Sequence, residues 1–267
     1  MIANLHKMVS ELQGSQIHYF LNDKCLNDLI GQQLHFHYQG DIHCRACGRK
    51  TSKSYQQGFC YPCFKKLACC DRCMISPEKC HYEAGTCREP QWAKQHCFQP
   101  HTVYLANTSG LKVGISRDIP TRWIDQGATQ ALPIVTVSNR QQSGLVECIF
   151  KRLVADKTQW RKMLQGNAEP LDLIQSRDDL FAQVETELAE LQQKYPDEIH
   201  LLADKKMVTL DFPVQHYPKK VVSLNFDKTP EITGQLWGIK GQYLILDTGV
   251  LNIRKFAGYS VELQVSS

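Results

Sequence analysis

The residues best equipped for chemistry in this chain are its cysteines. There are twelve in 267 residues, and ten of them lie between Cys44 and Cys97. Cys44-Arg45-Ala46-Cys47 and Cys60-Tyr61-Pro62-Cys63 form a C-x2-C-x12-C-x2-C pattern. A two-residue spacer lets both thiolates of a knuckle face one ion, and Gly48 frees the turn. The longer spacer suits a hairpin that brings the knuckles together as a tetrahedral zinc site. Four thiolates leave no open coordination position, so such an ion is structural rather than catalytic. A second group follows, made of Cys69, Cys70, Cys73, Cys80, Cys87 and Cys97, with His81 and His96 nearby. Four of Cys70, Cys73, Cys80, Cys87 and Cys97 are expected to hold a second zinc ion. An iron–sulfur cluster, which thiolates alone also hold, is the alternative there. Cys69 is the expected spare, and Cys25 and Cys148 read as small core residues.

Cysteines at this density form disulfides in exported chains and bind metal in reducing compartments. The N-terminus, Met1 to Gly14, alternates polar and apolar residues without an apolar signal core,. No apolar stretch approaches the roughly 18–20 residues a bilayer requires. The expectation is a cytoplasmic protein with no membrane partner. The formal charge of +4 falls to about zero if two four-thiolate zinc sites form, each carrying a net −2. Basic character is therefore local. Residues 101–162 hold nine Lys/Arg against four Asp/Glu, whereas 166–204 hold two against ten. A segregated positive field of this kind points to a polyanion, that is, nucleic acid (DNA or RNA).

The elements that must position these residues fall into five stretches. Residues 1–43 are β-rich, with Ile17–Leu21 and Leu34–Tyr38 as strands. Residues 44–100 have little periodic hydrophobicity and need metal as a staple. Residues 101–165 read as β-β-α-β-α: strands 102–106 and 112–116 around an Asn107–Gly110 turn, a short helix 119–126, a strand 132–137 and a helix 143–156. Residues 166–206 predict an acidic packing helix over 170–195, with Leu173, Leu180, Val184, Leu188 and Leu191 as its stripe. Residues 207–267 read as strands 208–212, 221–226, 235–238, 243–246 and 250–254, a small barrel or curled sheet. The fold class is α+β, with a zinc-ribbon region ahead of the central domain.

In that central stretch Val103-Tyr104, Lys112-Val113-Gly114-Ile115-Ser116, Thr121-Arg122-Trp123 and Glu147 resemble the GIY-YIG nuclease superfamily. The resemblance is to the short branch whose second motif reads Lys-hydrophobic-Gly-Ile-Ser, and it covers roughly 101–160. Cys80-His81, Gly85-Thr86-Cys87-Arg88 and Arg122 to Ala128 further resemble a prokaryotic zinc-ribbon family of uncharacterised function. The superfamily resemblance implies Tyr104 in the base system, Arg122 as phosphate clamp (with Arg117 as the alternative) and Glu147 as ligand of one Mg²⁺. Lys112 stands where those nucleases carry their second tyrosine, and a lysine there binds phosphate or moves a proton. Two functions are thus expected: Mg-dependent phosphodiester hydrolysis, or a non-catalytic DNA- or RNA-binding module that keeps the scaffold. A redox or iron–sulfur sensor built on residues 69–97 is a third class. Gly238-Ile239-Lys240-Gly241 reads as a hairpin turn, and Phe59, Tyr61 and Phe64 as the small core of the ribbon or a base-stacking surface.

Overall fold

The longest strand of the N-terminal region, Gln33–His43, lies between two strands from the opposite end of the sequence. On one side Leu34, Phe36 and Tyr38 face Val265, Leu263 and Val261 of the strand Tyr259–Ser266. On the other, Leu34 and Phe36 face Gly234 and Ile232 of the strand Glu231–Lys240. The latter continues past a register shift at Leu236–Gly238 to pair with Tyr243–Leu246, which pairs in turn with Gly249–Asn252. In this computed structural model, which describes residues 2–266, the result is a curled half-barrel sheet. It is filled by Leu34, Phe36, Phe226, Ile232, Leu236 and Phe256. Residues 33–43 and 231–266, read from sequence as separate segments, therefore form one sheet. Alternating apolar residues mark each strand locally but carry no information about which distant strand covers its edge.

Two further expectations are corrected. The stretch 221–226 forms no regular strand. It makes a single bridge, Ser223 to Val250, and its job is to deliver Phe226 to the core against Phe36 and Phe256. The stretch 170–195 is two helices, Leu173–Gln183 and Glu185–Lys194, broken at Val184 with φ −122° and ψ 18°. The apolar stripe continues across the break, so the pattern conceals it.

The central β-β-α-β-α order is observed: strands His101–Asn107 and Leu111–Ser116, helix Thr121–Asp125, strand Gln130–Val137 and helix Arg140–Phe150. The last helix starts three residues before the expected Ser143, because Asn139 and Gln142 form a reciprocal capping box,. The strand His101–Asn107 is central, paired antiparallel to both of the other two. Its side chains alternate between two cores, as the pleat requires. Val103 and Leu105 pack with Phe150, Leu180 and Leu188 of the helices, while Tyr104 and Ala106 join the half-barrel core. Among the described residues, no helix is long and apolar enough to cross a membrane.

Candidate functional site

The four cysteines of the first pattern converge. Cys44 ends the strand Gln33–His43, and Cys60 caps the helix Tyr61–Lys66. A backbone hydrogen bond from Arg45 N–H to the Gly58 carbonyl, 2.8 Å, draws the knuckles together. All four sulfurs lie within 4.8 Å of one another, and Cys47 Sγ stands 3.8 Å from Cys60 Sγ. A tetrahedron with Zn–S bonds of about 2.3 Å has S–S edges of about 3.8 Å, so the donor set fits zinc in both chemistry and spacing. Burial works against ionising Cys44, yet backbone N–H groups of Cys60, Cys47 and Ala46 outweigh it and bring its thiol down to about 6. Cys63 is pushed up to about 12 by burial and by its thiol neighbours. A cluster poised between thiol and thiolate in this way is one that a divalent cation completes. Arg49 lies against Cys47 as counter-charge. Phe59 and Phe64 belong to the small core beside the sulfurs, while Tyr61 remains exposed.

The second cysteine group is looser. Cys69 and Cys70 sulfurs lie 3.9 Å apart, and Cys70 joins the core of the first site. Cys73 lies within 4.8 Å of Asp71 and His81. Its thiol is pushed up to about 11 by burial and by the charges of Asp71, Cys80, Cys97 and Cys87.

A third cluster gathers Tyr104, Lys112, Arg122 and Glu147. Tyr104 and Gly114 are cross-strand partners, as are Ala106 and Lys112, so Tyr104 and Lys112 share one face of the sheet. Gln126, which closes the helix Thr121–Asp125, accepts from both. Its Oε1 lies 2.9 Å from the Tyr104 hydroxyl and 3.2 Å from Lys112 Nζ. Trp123 packs edge-on against the Tyr104 ring at 5.9 Å. Tyr104 is 0% exposed and Lys112 3%, so both form the floor of the cluster. Burial pushes the Tyr104 phenol up to about 12, opposed by the positive charge of Arg122. Burial likewise brings the Lys112 amine down to about 8, with the Arg122 charge adding to the effect.

Arg122 does not pair with its neighbouring carboxylates. Asp118 faces Arg117, and Asp125 takes Lys7 at 3.0 Å and Gln242 at 2.7 Å. Nor does Glu147 rest in an ion pair with Lys151, which bonds chiefly to Cys148. Burial raises the Glu147 carboxyl, the Lys112 charge opposes this, and the Asp156 charge adds to it. Asp156 is set beside the cluster because Val113 N–H donates to the Ala155 carbonyl at 2.8 Å, pairing that loop with the strand edge.

Gln126 and Asp156 were not singled out from sequence. Gln126 lies one helical turn after Arg122 inside the Arg122–Ala128 run, which was its only available signal, and Asp156 has none. Of the Gly238–Gly241 motif, Gly238, Ile239 and Lys240 end the strand Glu231–Lys240, with Lys240 facing Tyr243, and only Gly241 lies in the hairpin turn.

A family model described as "Protein of unknown function (DUF2797)" matches residues 31–261. No curated protein and no solved structure matches the chain.

Proposed function

The chain belongs to the DUF2797 family, whose description assigns no activity, and from the central cluster we propose that it handles nucleic acid by Mg-dependent phosphodiester hydrolysis. One observation carries the reading: the charges of Arg122 and of the half-buried carboxylate Glu147 both act on Lys112, which shares the acceptor Gln126 with Tyr104. The resemblance of this stretch to GIY-YIG nucleases supports it, as does the basic balance of residues 101–162. In this reading Arg122 binds a phosphate oxygen of the substrate and faces the negative charge that develops there. Tyr104, with its phenol near 12, keeps its proton at neutral pH and acts as a donor that orients Gln126. Lys112, near 8, is left to hold or move a proton where the GIY-YIG nucleases that this stretch resembles carry a second tyrosine. Glu147 and Asp156 are oxygen donors whose mutual repulsion a Mg²⁺ ion relieves, and one or two carboxylates suffice for that ion,. When bound, Mg²⁺ stabilises the leaving oxygen. The four-cysteine site holds zinc as a staple and takes no part in the chemistry.

The second reading, a binding module without turnover, is favoured by the complete burial of Tyr104 and Lys112. Binding and cleavage measured together on single- and double-stranded DNA and RNA separate the two. Under the hydrolytic reading, Glu147→Ala abolishes Mg²⁺-dependent cleavage and leaves binding equal or tighter, since it removes a negative charge beside a polyanion. Binding without cleavage by wild type and variant alike supports the module. Neither binding nor cleavage at low salt overturns both.

A further inference from the structure

A cavity of about 20 Å³ lies between the cysteine-rich block and the start of the helix Arg140–Phe150, walled by Cys73, Cys80, Cys97, Tyr82 and Arg140. Cys87 is tied to the same loop by its neighbour Thr86, whose hydroxyl bonds both the ring and the carbonyl of His81, the residue after Cys80. Cys70 is turned away to Cys69 and the first site. A second feature points to an anion at this spot. The half-buried Arg140 side chain donates to the Met74 carbonyl at 2.9 Å, and its Nε–H, shut off from solvent, has no partner. Buried donors are satisfied as a rule, and sulfur carrying negative charge is the acceptor at hand.

We propose that Cys73, Cys80, Cys87 and Cys97 hold a second zinc ion, with Arg140 as the cation set against their negative charge. The rival ligand set, Asp71–Cys73–His81, is already occupied by protein groups. His81 Nδ1 bonds Thr86 Oγ1 at 2.8 Å, and its Nε2 faces Asp71 at 3.3 Å. Asp71 also takes Arg88 at 2.9 Å and caps the Arg72 N–H. These contacts make Asp71 and His81 a brace for the loop that carries Cys73, Cys80 and Cys87. The sulfurs stand farther apart than in the first site and close inward on the ion, each thiol releasing its proton on binding.

The consequence is a staple between two parts of the molecule. Arg140 donates its backbone N–H to the Cys97 carbonyl at 2.7 Å and begins the helix that carries Glu147. Four residues on, Gly144 has no room for a side chain: a Cβ there meets the Glu78 nitrogen at 2.6 Å and Pro77 Cβ at 2.7 Å. The centre therefore fixes the cysteine-rich block to the base of this helix. This inference stands whether or not the cluster around Gln126 hydrolyses anything.

Metal analysis of the full chain tests it. Wild type is expected to carry two zinc ions per chain, Cys80→Ser and Cys87→Ser one each, and His81→Gln two. Arg140→Gln should keep both but yield the second to a chelator at least tenfold more readily, as is usual when an outer partner of a metal ligand is lost. Thiol alkylation of wild type with mass-spectrometric readout covers variants that fail to fold. Cys73, Cys80, Cys87 and Cys97 should be protected together and become reactive together on chelation. One zinc in wild type, two in Cys87→Ser, loss of one in His81→Gln, iron with a visible absorption band, or alkylation of these four unchanged by chelation would each overturn the proposal.

Discussion

The ring of Tyr104 lies across the backbone of Gly114, its cross-strand partner. A Cβ built at Gly114 falls 2.7 Å from both the ring Cζ and the hydroxyl oxygen. The glycine of the Lys-Val-Gly-Ile-Ser run is thus the space that the tyrosine needs. Gly114→Ala is expected to displace the ring, break its bond to Gln126 and destabilise by about 1–3 kcal/mol, the usual cost of overpacking. Tyr104→Phe removes only the hydroxyl and should cost about 1 kcal/mol. Urea denaturation of the two variants checks the order, and an equal or smaller loss in Gly114→Ala would contradict the packing.

Zinc bound by the first four-cysteine cluster would contribute roughly 10 kcal/mol or more of apparent binding energy that is also folding energy,. Cys44→Ser should lose that ion and its protection from hydrogen exchange across residues 44–67. The strands of the central sheet, packed on their own helices, should retain theirs. Exchange mass spectrometry reads both regions in one experiment.

Lys240 makes stability depend on pH. It is 0% exposed and bonded to Gly166 O at 3.0 Å and Asn167 Oδ1 at 2.9 Å, with the rings of Tyr217 and Phe212 beside it at 5.1 and 5.5 Å. Burial brings its amine down to about 8, against about 10.4 in an unfolded chain. Between those values the unfolded chain binds more protons, so stability rises with pH there and is flat below 8. Lys240→Met should remove that part of the slope, at most about 1.4 kcal/mol per pH unit. Urea midpoints of both proteins from pH 7 to 10.5 give the difference. Parallel curves would refute it.

If residues 101–162 bind nucleic acid, the affinity falls as salt rises, because bound phosphates release counterions. Arg122→Ala should then lower the slope of log affinity against log salt by about 0.9, one phosphate contact. An unchanged slope would remove Arg122 from the contact surface.

Legibility from sequence followed the range of each interaction. The thiolates of Cys44, Cys47, Cys60 and Cys63 were readable because knuckle spacing is a local property. So was the hairpin 101–116, whose alternation and turn residues are adjacent. The pairing of Phe36 with Ile232 and Leu263 was not, since nothing in a strand's own residues names a partner some two hundred positions away. The break at Val184 hid within an unbroken stripe. Gln126 carries no distinctive chemistry until Tyr104 and Lys112 both turn to it, and Arg140 gains meaning only from the cysteines that share its cavity.

The half-barrel imposes an order on synthesis. Strand Gln33–His43 leaves the ribosome well before the strands that flank it along its length, Glu231–Lys240 and Tyr259–Ser266. Until those strands emerge, its edges over residues 33–38 have no native partner, while its pairing with Lys50–Thr51, the thiolate knuckles and the central sheet can already close,. The nascent chain therefore holds a sticky β-edge in waiting, and a ribosome stalled before residue 231 would release a product whose central sheet is folded while strand Gln33–His43 still lacks its long-range partners,.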